Sequence, residues 1–247
     1  MSGIRLFVSA PLAEGQPVEI GRDDAHYLFG VMRQAVGATV TLFNGTGGAW
    51  EAEITQAGKR GGVLTCRAQT APQRDPPDLW LLFAPVKKAR TDFIVEKAVE
   101  MGVRRLVPVA TEFTNSERLR QDRLQAHAKE AAEQCGAVFV PEVAELQKLR
   151  AVLDGWDSQR RLMFCDEAMA QAGGSSSARA GLFAEAQGSG PWAILIGPEG
   201  GFSEGERARL QGMAEAHVAS LGPRILRADT AAVAALTLWQ MRFGDWQ

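Results

Sequence analysis

The sequence predicts an α/β protein with two domains, a small β-rich domain followed by a larger domain built on a mostly parallel sheet. Strand candidates dominate residues 1–70, and strands alternate with helices in the rest of the chain. A proline-rich segment, Thr70–Asp78, separates the two patterns, as is typical of a domain boundary. We therefore predict one domain over residues 1–72 and a second over residues 73–247.

The first domain is predicted to be a small β-barrel with one short helix. Its strand candidates are Ile4–Ser9, Thr39–Phe43, Trp50–Thr55 and Gly62–Ala68. The glycine-rich segment Asn44–Gly48 indicates a hairpin between two of these strands. A helix fits Asp23–Gln34, because acidic residues stand at its start and Gly37 follows its end.

The second domain alternates strands with helices, which favours a parallel sheet covered on both faces. Predicted strands are Leu79–Ala84, Arg105–Ala110, Val138–Val140, Arg161–Cys165, Trp192–Ile196 and His217–Ser220. Predicted helices are Thr91–Met101, Glu117–Cys135 and Thr230–Phe243. We interpret Gln171–Ser177, which is rich in glycine and serine, as a flexible surface loop.

The most informative segment is Ile194–Glu206, with the sequence ILIGPEGGFSEGE. It predicts a buried strand, a glycine-rich loop and a helix that opens at a capping box formed by Ser203 and Glu206. Such a unit presents backbone N–H and C=O groups at the carboxyl end of a sheet, where open α/β sheets bind ligands. The loop lacks the Gly-Lys-Ser/Thr of a P-loop and the G-x-G-x-x-G order of a dinucleotide site.

A second loop of the same type follows about twenty residues later, at Leu221–Ala231, with the sequence LGPRILRADTA. It also lies between a strand candidate and an alanine-rich helix. Together the two loops resemble those of the RsmE family of SPOUT methyltransferases. Lys97–Val103, Glu130–Gly136 and His26–Arg33 extend the resemblance over nearly the whole chain, in the family's order.

The resemblance implies fold and activity together. It implies a PUA-like, RNA-binding β-barrel followed by a SPOUT domain with a trefoil-knotted, mostly parallel sheet. The implied reaction is transfer of a methyl group from S-adenosyl-L-methionine to N3 of a uridine in small-subunit (16S) ribosomal RNA. The implied assembly is a homodimer, with the alanine-rich last helix as its expected interface through Ala231, Ala232, Ala234 and Ala235.

Composition bounds these expectations. The net charge of −2 shows no general basic excess, so an RNA substrate must meet a local basic patch. Cys66, Cys135 and Cys165 have neither zinc nor disulfide spacing, and we interpret them as buried small hydrophobes in a cytoplasmic protein. The three histidines lie in separate segments without metal-ligand spacing, so no metal is expected. No apolar run is long enough to span a bilayer, and no signal peptide is evident.

The two loops supply the candidate cofactor site, with apolar walls for adenine and backbone groups for its polar edge. The candidates are Leu195, Ile196, Gly197, Pro198, Glu199, Gly200, Gly201, Leu221, Gly222, Ile225, Leu226 and Arg227. The alternative is that the leucines are plain core residues. Glu199 either binds a ribose hydroxyl or has a structural role.

Methylation of uracil N3 requires loss of a proton and stabilisation of negative charge on O2 and O4. Arg227, with Arg224 beside it, can stabilise that charge, and Asp229 is the nearest candidate base. Either arginine can instead pair with a structural carboxylate, and Asp229 can instead cap the last helix. The family commonly has Glu where this chain has Asp229, which is one methylene shorter.

Candidate RNA contacts are Arg5, His26, Arg33, Lys87, Lys88, Arg90 and Arg224. The Lys87–Arg90 segment resembles the family's basic loop, although a solvated loop has the same composition. His26 is alternatively a core histidine. The family often has Arg where this chain has Ala137, so any RNA contact of that Arg is absent here.

Two other functions fit the same features. The first is a SPOUT enzyme that modifies a different RNA position or transfer RNA. The second is a catalytically silent RNA-binding protein that has kept the fold. Cofactor binding distinguishes the silent protein from the enzymes, and the position of the modified nucleotide distinguishes the two enzymes.

Overall fold

The computed structural model describes residues 3–115, 119–166 and 190–246. Contacts between Cα atoms divide the chain into two compact units. The first comprises the residues up to Asp75 together with Ala132–Val140, and the second comprises Pro76–Ala131 and the residues from Pro141 onward. The predicted loop Gln171–Ser177 lies outside the described residues.

The first unit is built on a five-stranded sheet with the order β1-β3-β4-β5-β2. Its strands are β1 (Arg5–Phe7), β2 (Pro17–Ile20), β3 (Thr39–Phe43), β4 (Ala49–Gly58) and β5 (Gly61–Ala71). The predicted hairpin between β3 and β4 is present, and β1 pairs parallel to β3. Alternating apolar residues such as Val40, Leu42 and Leu64 face a common buried core.

The predicted helix Asp23–Gln34 is shorter than expected and is only partly α-helical. Helix α1 covers only Arg22–Ala25 and continues as a π-helical turn over His26–Val31. The His26 ring lies over this turn, because a Cβ on Gly30 would stand only 2.9 Å from His26 Nδ1. Arg33 then adopts a left-handed conformation with φ 53°, which does not continue a right-handed helix.

The second unit contains a seven-stranded sheet whose described pairings are all parallel. The mostly parallel sheet is therefore confirmed. The strands are β6 (Leu79–Phe83), β7 (Arg105–Ala110), β8 (Glu142–Val143), β9 (Gln147–Lys148), β10 (Arg161–Cys165), β11 (Trp192–Ile196) and β12 (Ala216–Ala219). Their order is β12-β10-β11-β6-β7-β8, with β9 paired to β7.

Five helices accompany this sheet in the described part of the chain. They are α2 (Lys88–Glu100), α3 (Gln121–Cys135), α4 (Leu149–Asp154), α5 (Glu204–Gln211) and α6 (Ala228–Phe243). The prediction of a strand at Val138–Val140 is wrong, since those residues are irregular and the next strand begins after Pro141, which has no N–H to donate. None of the helices in the described ranges is long and apolar enough to cross a membrane.

Helix α5 begins where the sequence predicts. The Ser203 side chain accepts a hydrogen bond from Glu206 N at 3.2 Å, and the Glu206 carboxylate accepts one from Ser203 N at 3.0 Å. This capping box satisfies two N–H groups that a helix start leaves unpaired. A cap of this kind contributes about 1 kcal/mol to stability, and here it fixes the end of the loop that follows β11.

The base of the sheet is held by an almost fully buried arginine. Arg160 donates to both carboxylate oxygens of Asp78 at 3.0 Å and to the carbonyl of Trp192 at 3.0 Å. Its guanidinium stacks 3.9 Å from the centroid of Trp80. These contacts tie the loop before β10 to the first residues of β6 and β11.

The cysteines do not share one environment. Cys66 and Cys165 are buried, as predicted, but Cys135 is exposed at the last residue of α3. The prediction that all three are buried is therefore wrong for Cys135. Burial raises the pKa of the Cys165 thiol to about 12, so this thiol stays protonated at neutral pH.

Candidate functional site

Three adjacent parallel strands, β11, β10 and β12, end at the same edge of the second unit's sheet. The glycine-rich loop, residues 197–203, follows β11, and the second loop, residues 220–227, follows β12. These loops and the end of β10 enclose a cavity. The cavity lies at the carboxyl ends of parallel strands, which is the position where open α/β sheets bind their ligands.

This first cavity combines apolar walls with polar groups. It is lined by Cys165, Asp166, Ile196, Gly197, Pro198, Glu199, Ala219, Ser220, Leu221, Gly222, Arg224, Ile225, Leu226, Ala228 and Ala231. Apolar side chains with a few directed polar groups are the usual lining of a small-molecule site. The chemistry of this lining therefore suits a ligand that has an apolar part and a polar edge, as adenosine has.

Glycines keep the backbone of both loops close to this cavity. Gly222 has φ 120°, a conformation that side-chain-bearing residues rarely adopt. A Cβ on Gly197 would lie 2.6 Å from the buried ring of Phe202. The shape of the cavity thus depends on the absence of side chains at these two positions.

The structure places most, but not all, of the predicted cofactor residues around this cavity. Leu195 does not line it, since its side chain is fully buried in the core cluster with Leu82 and Phe164. Gly200, Gly201 and Arg227 are also absent from its wall. Leu195 is therefore a core residue, which was the alternative to a cofactor contact. Four other apolar candidates do line the cavity, namely Ile196, Leu221, Ile225 and Leu226.

Sequence reasoning missed the contribution of β10 to this cavity. Cys165 ends β10, and Asp166 follows it as a buried carboxylate that accepts a hydrogen bond from Arg207 Nε at 3.2 Å. Their position at the carboxyl end of a predicted parallel strand was the available signal. It was weak, because the sequence does not show that β10 lies between β11 and β12.

A second cavity of about 300 Å³ lies at the ends of the next strands along the same edge, β11, β6 and β7. It is lined by Pro85, Val86, Lys87, Lys88, Phe113, Asn115, Pro198, Glu199 and Gly200. Pro198 and Glu199 belong to the walls of both cavities. The two cavities therefore adjoin at these two residues.

Arg90 links the loops around the two cavities. It forms an ion pair with Glu199, and its Nε lies 3.9 Å from Asp229 Oδ2. The prediction of Lys87–Arg90 as a loop is wrong for Lys88 and Arg90, which lie in the first turn of α2. Arg90 is therefore engaged with two carboxylates of the site, while Lys87 and Lys88 line the second cavity.

The proposed catalytic residues stand at the start of α6. The N-cap position is occupied by Arg227, so Asp229 is not the N-cap residue and its Oδ1 instead accepts from Thr230 N at 3.0 Å. Arg224 and Arg227 are both exposed, and Arg224 lines the first cavity. Within the described ranges, neither arginine forms an ion pair with a structural carboxylate.

The three candidate RNA contacts of the first unit differ in how far their side chains are exposed to solvent. Arg5 is half-buried, donates to the carbonyl of Ala137 at 2.7 Å and packs 5.0 Å from the centroid of Phe43. Burial lowers the pKa of its guanidinium, and Glu133 partly opposes that effect. Arg33 and His26 are exposed, so the alternative of a core histidine at position 26 is wrong.

A cavity with apolar and polar walls thus lies at the strand ends of this α/β domain, and a cavity with two lysines in its wall lies beside it. The model of the RNA methyltransferase domain family matches residues 73–240, and that of the RNA methyltransferase PUA domain matches residues 20–65. The chain belongs to this RNA methyltransferase family.

Particular relatives refine this assignment. The chain is 27% identical to the ribosomal RNA small subunit methyltransferase E of Rickettsia conorii, over 94% of this chain and 93% of the relative. The protein of the same name from Bacillus subtilis is 25% identical, with 92% and 90% covered. These similarities confirm the resemblance to the RsmE family.

Solved structures agree with this result. A ribosomal RNA small subunit methyltransferase E from Neisseria gonorrhoeae, bound to S-adenosyl methionine, superposes with a TM-score of 0.87 at 27% identity, with 100% of both chains covered. A putative methyltransferase from Legionella pneumophila, in complex with the same cofactor, gives a TM-score of 0.85 at 25% identity, with 99% and 100% covered.

Proposed function

We propose that this protein transfers a methyl group from S-adenosyl-L-methionine to N3 of a uridine in 16S ribosomal RNA. The observation that carries the proposal is the pair of cavities that share Pro198 and Glu199. Methyl transfer requires the donor and the acceptor to meet at a short distance in a fixed orientation. Because the cavities adjoin, a donor in the first and a nucleotide in the second would lie next to each other.

The first cavity fits the cofactor chemically. Ile196, Leu221 and Leu226 supply apolar surface for an adenine ring, and the glycine backbone of both loops supplies N–H and C=O groups for its edge. Glu199 and Asp166 are carboxylates that can accept hydrogen bonds from ribose hydroxyls. When bound, S-adenosylmethionine supplies an electrophilic methyl carbon.

The residues of the chain then act on the uracil. The N3–H bond breaks, N3 bonds to the methyl carbon, and the methyl–sulfur bond breaks to leave S-adenosylhomocysteine. Asp229 is the proposed proton acceptor, and Arg227, with Arg224, has the proposed role of stabilising negative charge on the ring carbonyls. None of the three lines the second cavity: Arg224 lines the first, and Asp229 is connected to the shared wall residue Glu199 through Arg90. Arg90 holds Asp229 and Glu199 in place through its two ion pairs.

The knotted SPOUT topology and the dimer are parts of the same proposal. In support of the knot, β11 lies between β6 and β10, both of which precede it in the chain. In support of a dimer, Ala231, Ala234, Leu238 and Met241 form a partly exposed stripe along α6, with Met241 66% exposed. Ala232 and Ala235 are buried within the unit, so these two alanines cannot contribute to an interface.

The first unit has the proposed role of holding the RNA. Exposed Arg33 and His26 lie in the segment matched to the PUA domain. Phosphate contacts from such residues position RNA without reading its sequence. Residues 1–72 are accordingly proposed as an RNA-binding domain and residues 73–247 as the methyltransferase domain of a cytoplasmic enzyme.

Mapping the modified nucleotide tests the proposal. The protein and radiolabelled S-adenosylmethionine are incubated with small ribosomal subunits that lack the modification, with transfer RNA as the parallel substrate. We expect label in 16S RNA and a reverse-transcription stop, because a methyl group on N3 blocks base pairing. Label in transfer RNA or at another atom would indicate a different RNA methyltransferase, and cofactor binding without label would indicate a silent RNA-binding protein.

A further inference from the structure

Phe113 is an aromatic residue that the folded protein leaves almost half exposed to solvent. It is 46% exposed, although phenylalanine is usually buried. It follows the end of β7 and lines the second cavity with Lys87, Lys88 and Asn115. An exposed ring beside two cations and an amide is the combination that single-stranded RNA-binding sites use to hold a base and its phosphates.

The backbone around Phe113 is fixed rather than loosely attached. Thr111 N donates to Thr114 Oγ1 at 2.9 Å, which closes a tight turn around the phenylalanine. Glu112 N donates to Glu206 Oε1 at 3.0 Å. Since Glu206 also forms the capping box of α5, the turn that carries Phe113 is tied to the glycine-rich loop of the first cavity.

The glycine-rich loop also leaves room for the ring. A Cβ on Gly200 would lie 3.2 Å from Phe113 Cβ, which is closer than a comfortable van der Waals contact. The absence of a side chain at Gly200 therefore allows Phe113 to stand at the wall of the second cavity. This arrangement fixes the backbone that carries the ring before any ligand arrives, and such preorganisation lowers the entropic cost of binding.

The charges around the cavity favour a nucleotide. Among the described residues, Lys87 and Lys88 are the cations of its wall, and Glu199 is the acidic wall residue. The Glu199 charge is offset by its ion pair with Arg90. A phosphate near the lysines and a flat base on Phe113 are complementary to this surface.

We propose that the second cavity binds the target uridine, flipped out of the RNA, with Phe113 as the stacking platform for its base. The inference rests on the proposed function and adds to it a base-binding site. Stacking on Phe113 leaves the edge of the base open toward Pro198 and Glu199, which border the first cavity. The Asn115 amide can donate to a uracil carbonyl, which leaves N3 open for the methyl group.

The test replaces the ring and keeps the rest of the wall. Phe113→Leu should raise KM for small-subunit RNA about tenfold to a hundredfold, the range expected for loss of one base–aromatic stack. Phe113→Trp should retain parental KM. Phe93→Leu is the matched control, because Phe93 is 40% exposed and does not line the cavity. Affinity for S-adenosylmethionine should be unchanged in all three variants.

A second measurement does not depend on RNA methylation. Uridine monophosphate and ribose 5-phosphate are titrated into the protein loaded with S-adenosylhomocysteine, followed by ligand-observed NMR. The parent should bind the nucleotide more tightly than the base-free phosphate, and Phe113→Leu should abolish that difference. If the parent methylates no RNA but shows this base-dependent binding, the proposed function fails and the nucleoside site stands.

Two results would overturn the inference. The first is parental KM and parental discrimination between the two small ligands in Phe113→Leu. The second is a change in oligomeric state by light scattering in that variant, because the exposed ring would then belong to an interface between two copies of the chain.

Discussion

Arg90 Nε lies 3.9 Å from Asp229 Oδ2, and this contact joins the first turn of α2 to the first turn of α6 across 139 residues of sequence. The same guanidinium pairs with Glu199 on the wall shared by the two cavities. The charge of Arg90 is therefore engaged by two carboxylates of the site. We expect Arg90 to position these carboxylates and not to bind an RNA phosphate.

Replacement of Arg90 separates these two roles. Arg90→Ala should weaken S-adenosylmethionine binding by about threefold to tenfold, as expected when the ion pairs of a partly buried group are lost. The salt dependence of RNA binding should change little, whereas Lys88→Ala should reduce its slope by about one phosphate contact. Calorimetry and RNA binding over a range of salt concentrations measure both effects. A reduced salt slope in Arg90→Ala with parental cofactor affinity would contradict this assignment.

Asp229→Asn tests the proposed proton acceptor. Asparagine keeps the size of the side chain and loses its ability to accept a proton, so single-turnover methylation should slow about a hundredfold or more. Cofactor affinity should stay close to parental. A loss smaller than tenfold would show that Asp229 serves to hold Arg90 and that the proton leaves by another route.

Arg227→Lys tests stabilisation of the transition state. Lysine keeps the charge and loses the planar fork that can meet a carbonyl oxygen with two donors. Turnover should fall about tenfold to a thousandfold with little change in cofactor affinity. Because Arg227 is exposed and forms no ion pair within the described ranges, the melting temperature should stay the same. Reduced stability with normal turnover would assign Arg227 a structural role.

Gly222→Val tests the second loop as part of the cofactor site. Gly222 has φ 120° and lines the first cavity, so a valine there both strains the backbone and adds bulk to the wall. S-adenosylmethionine binding by calorimetry should be lost. Gly15→Val is the control, since Gly15 has φ 74° and open space around it. Equal cofactor affinity in the two variants would exclude the loop from the site.

Asp78→Asn tests the buried cation at the base of the sheet. The change leaves Arg160, whose side chain is 7% exposed, without its carboxylate partner. Because Asp78 is 39% exposed, we expect a loss of about 2 kcal/mol, below the range for a fully buried pair. That loss corresponds to a fall of roughly 4–8 °C in melting temperature. Asp154→Asn is the comparison, because the ion pair of Asp154 with Arg209 is more exposed. This substitution should lower the melting temperature by less than half of the fall seen for Asp78→Asn.

The sequence predicted the elements best where local signals were strong. Bounds were correct for Thr39–Phe43, Arg105–Ala110, Arg161–Cys165 and Trp192–Ile196, because each is a short run dominated by apolar or β-branched residues. The capping box of α5 was likewise visible at fixed spacing. The short strands β2, β8 and β9 were missed, since none of them contains a continuous run of apolar residues.

The errors in the site have a different physical origin. All five residues of β11 are buried, so the pattern does not reveal that Leu195 and Ile196 point to opposite faces. The pairing of Arg90 with Glu199 joins residues 109 positions apart, and Phe113 reaches the second cavity only because β7 lies beside β6. These relationships depend on strand order, which local sequence does not encode.

The position of β11 between β6 and β10 has a consequence for synthesis of the protein. A chain emerging from the ribosome presents β6, β7 and β10 before β11 exists, and domains begin to fold while synthesis continues. Before β11 is made, β6 and β10 either remain unpaired with each other or pair temporarily. In the second case they must separate again when β11 inserts between them. Because the first cavity takes wall residues as late as Ala231, methyl-donor binding can begin only after most of the chain has been made.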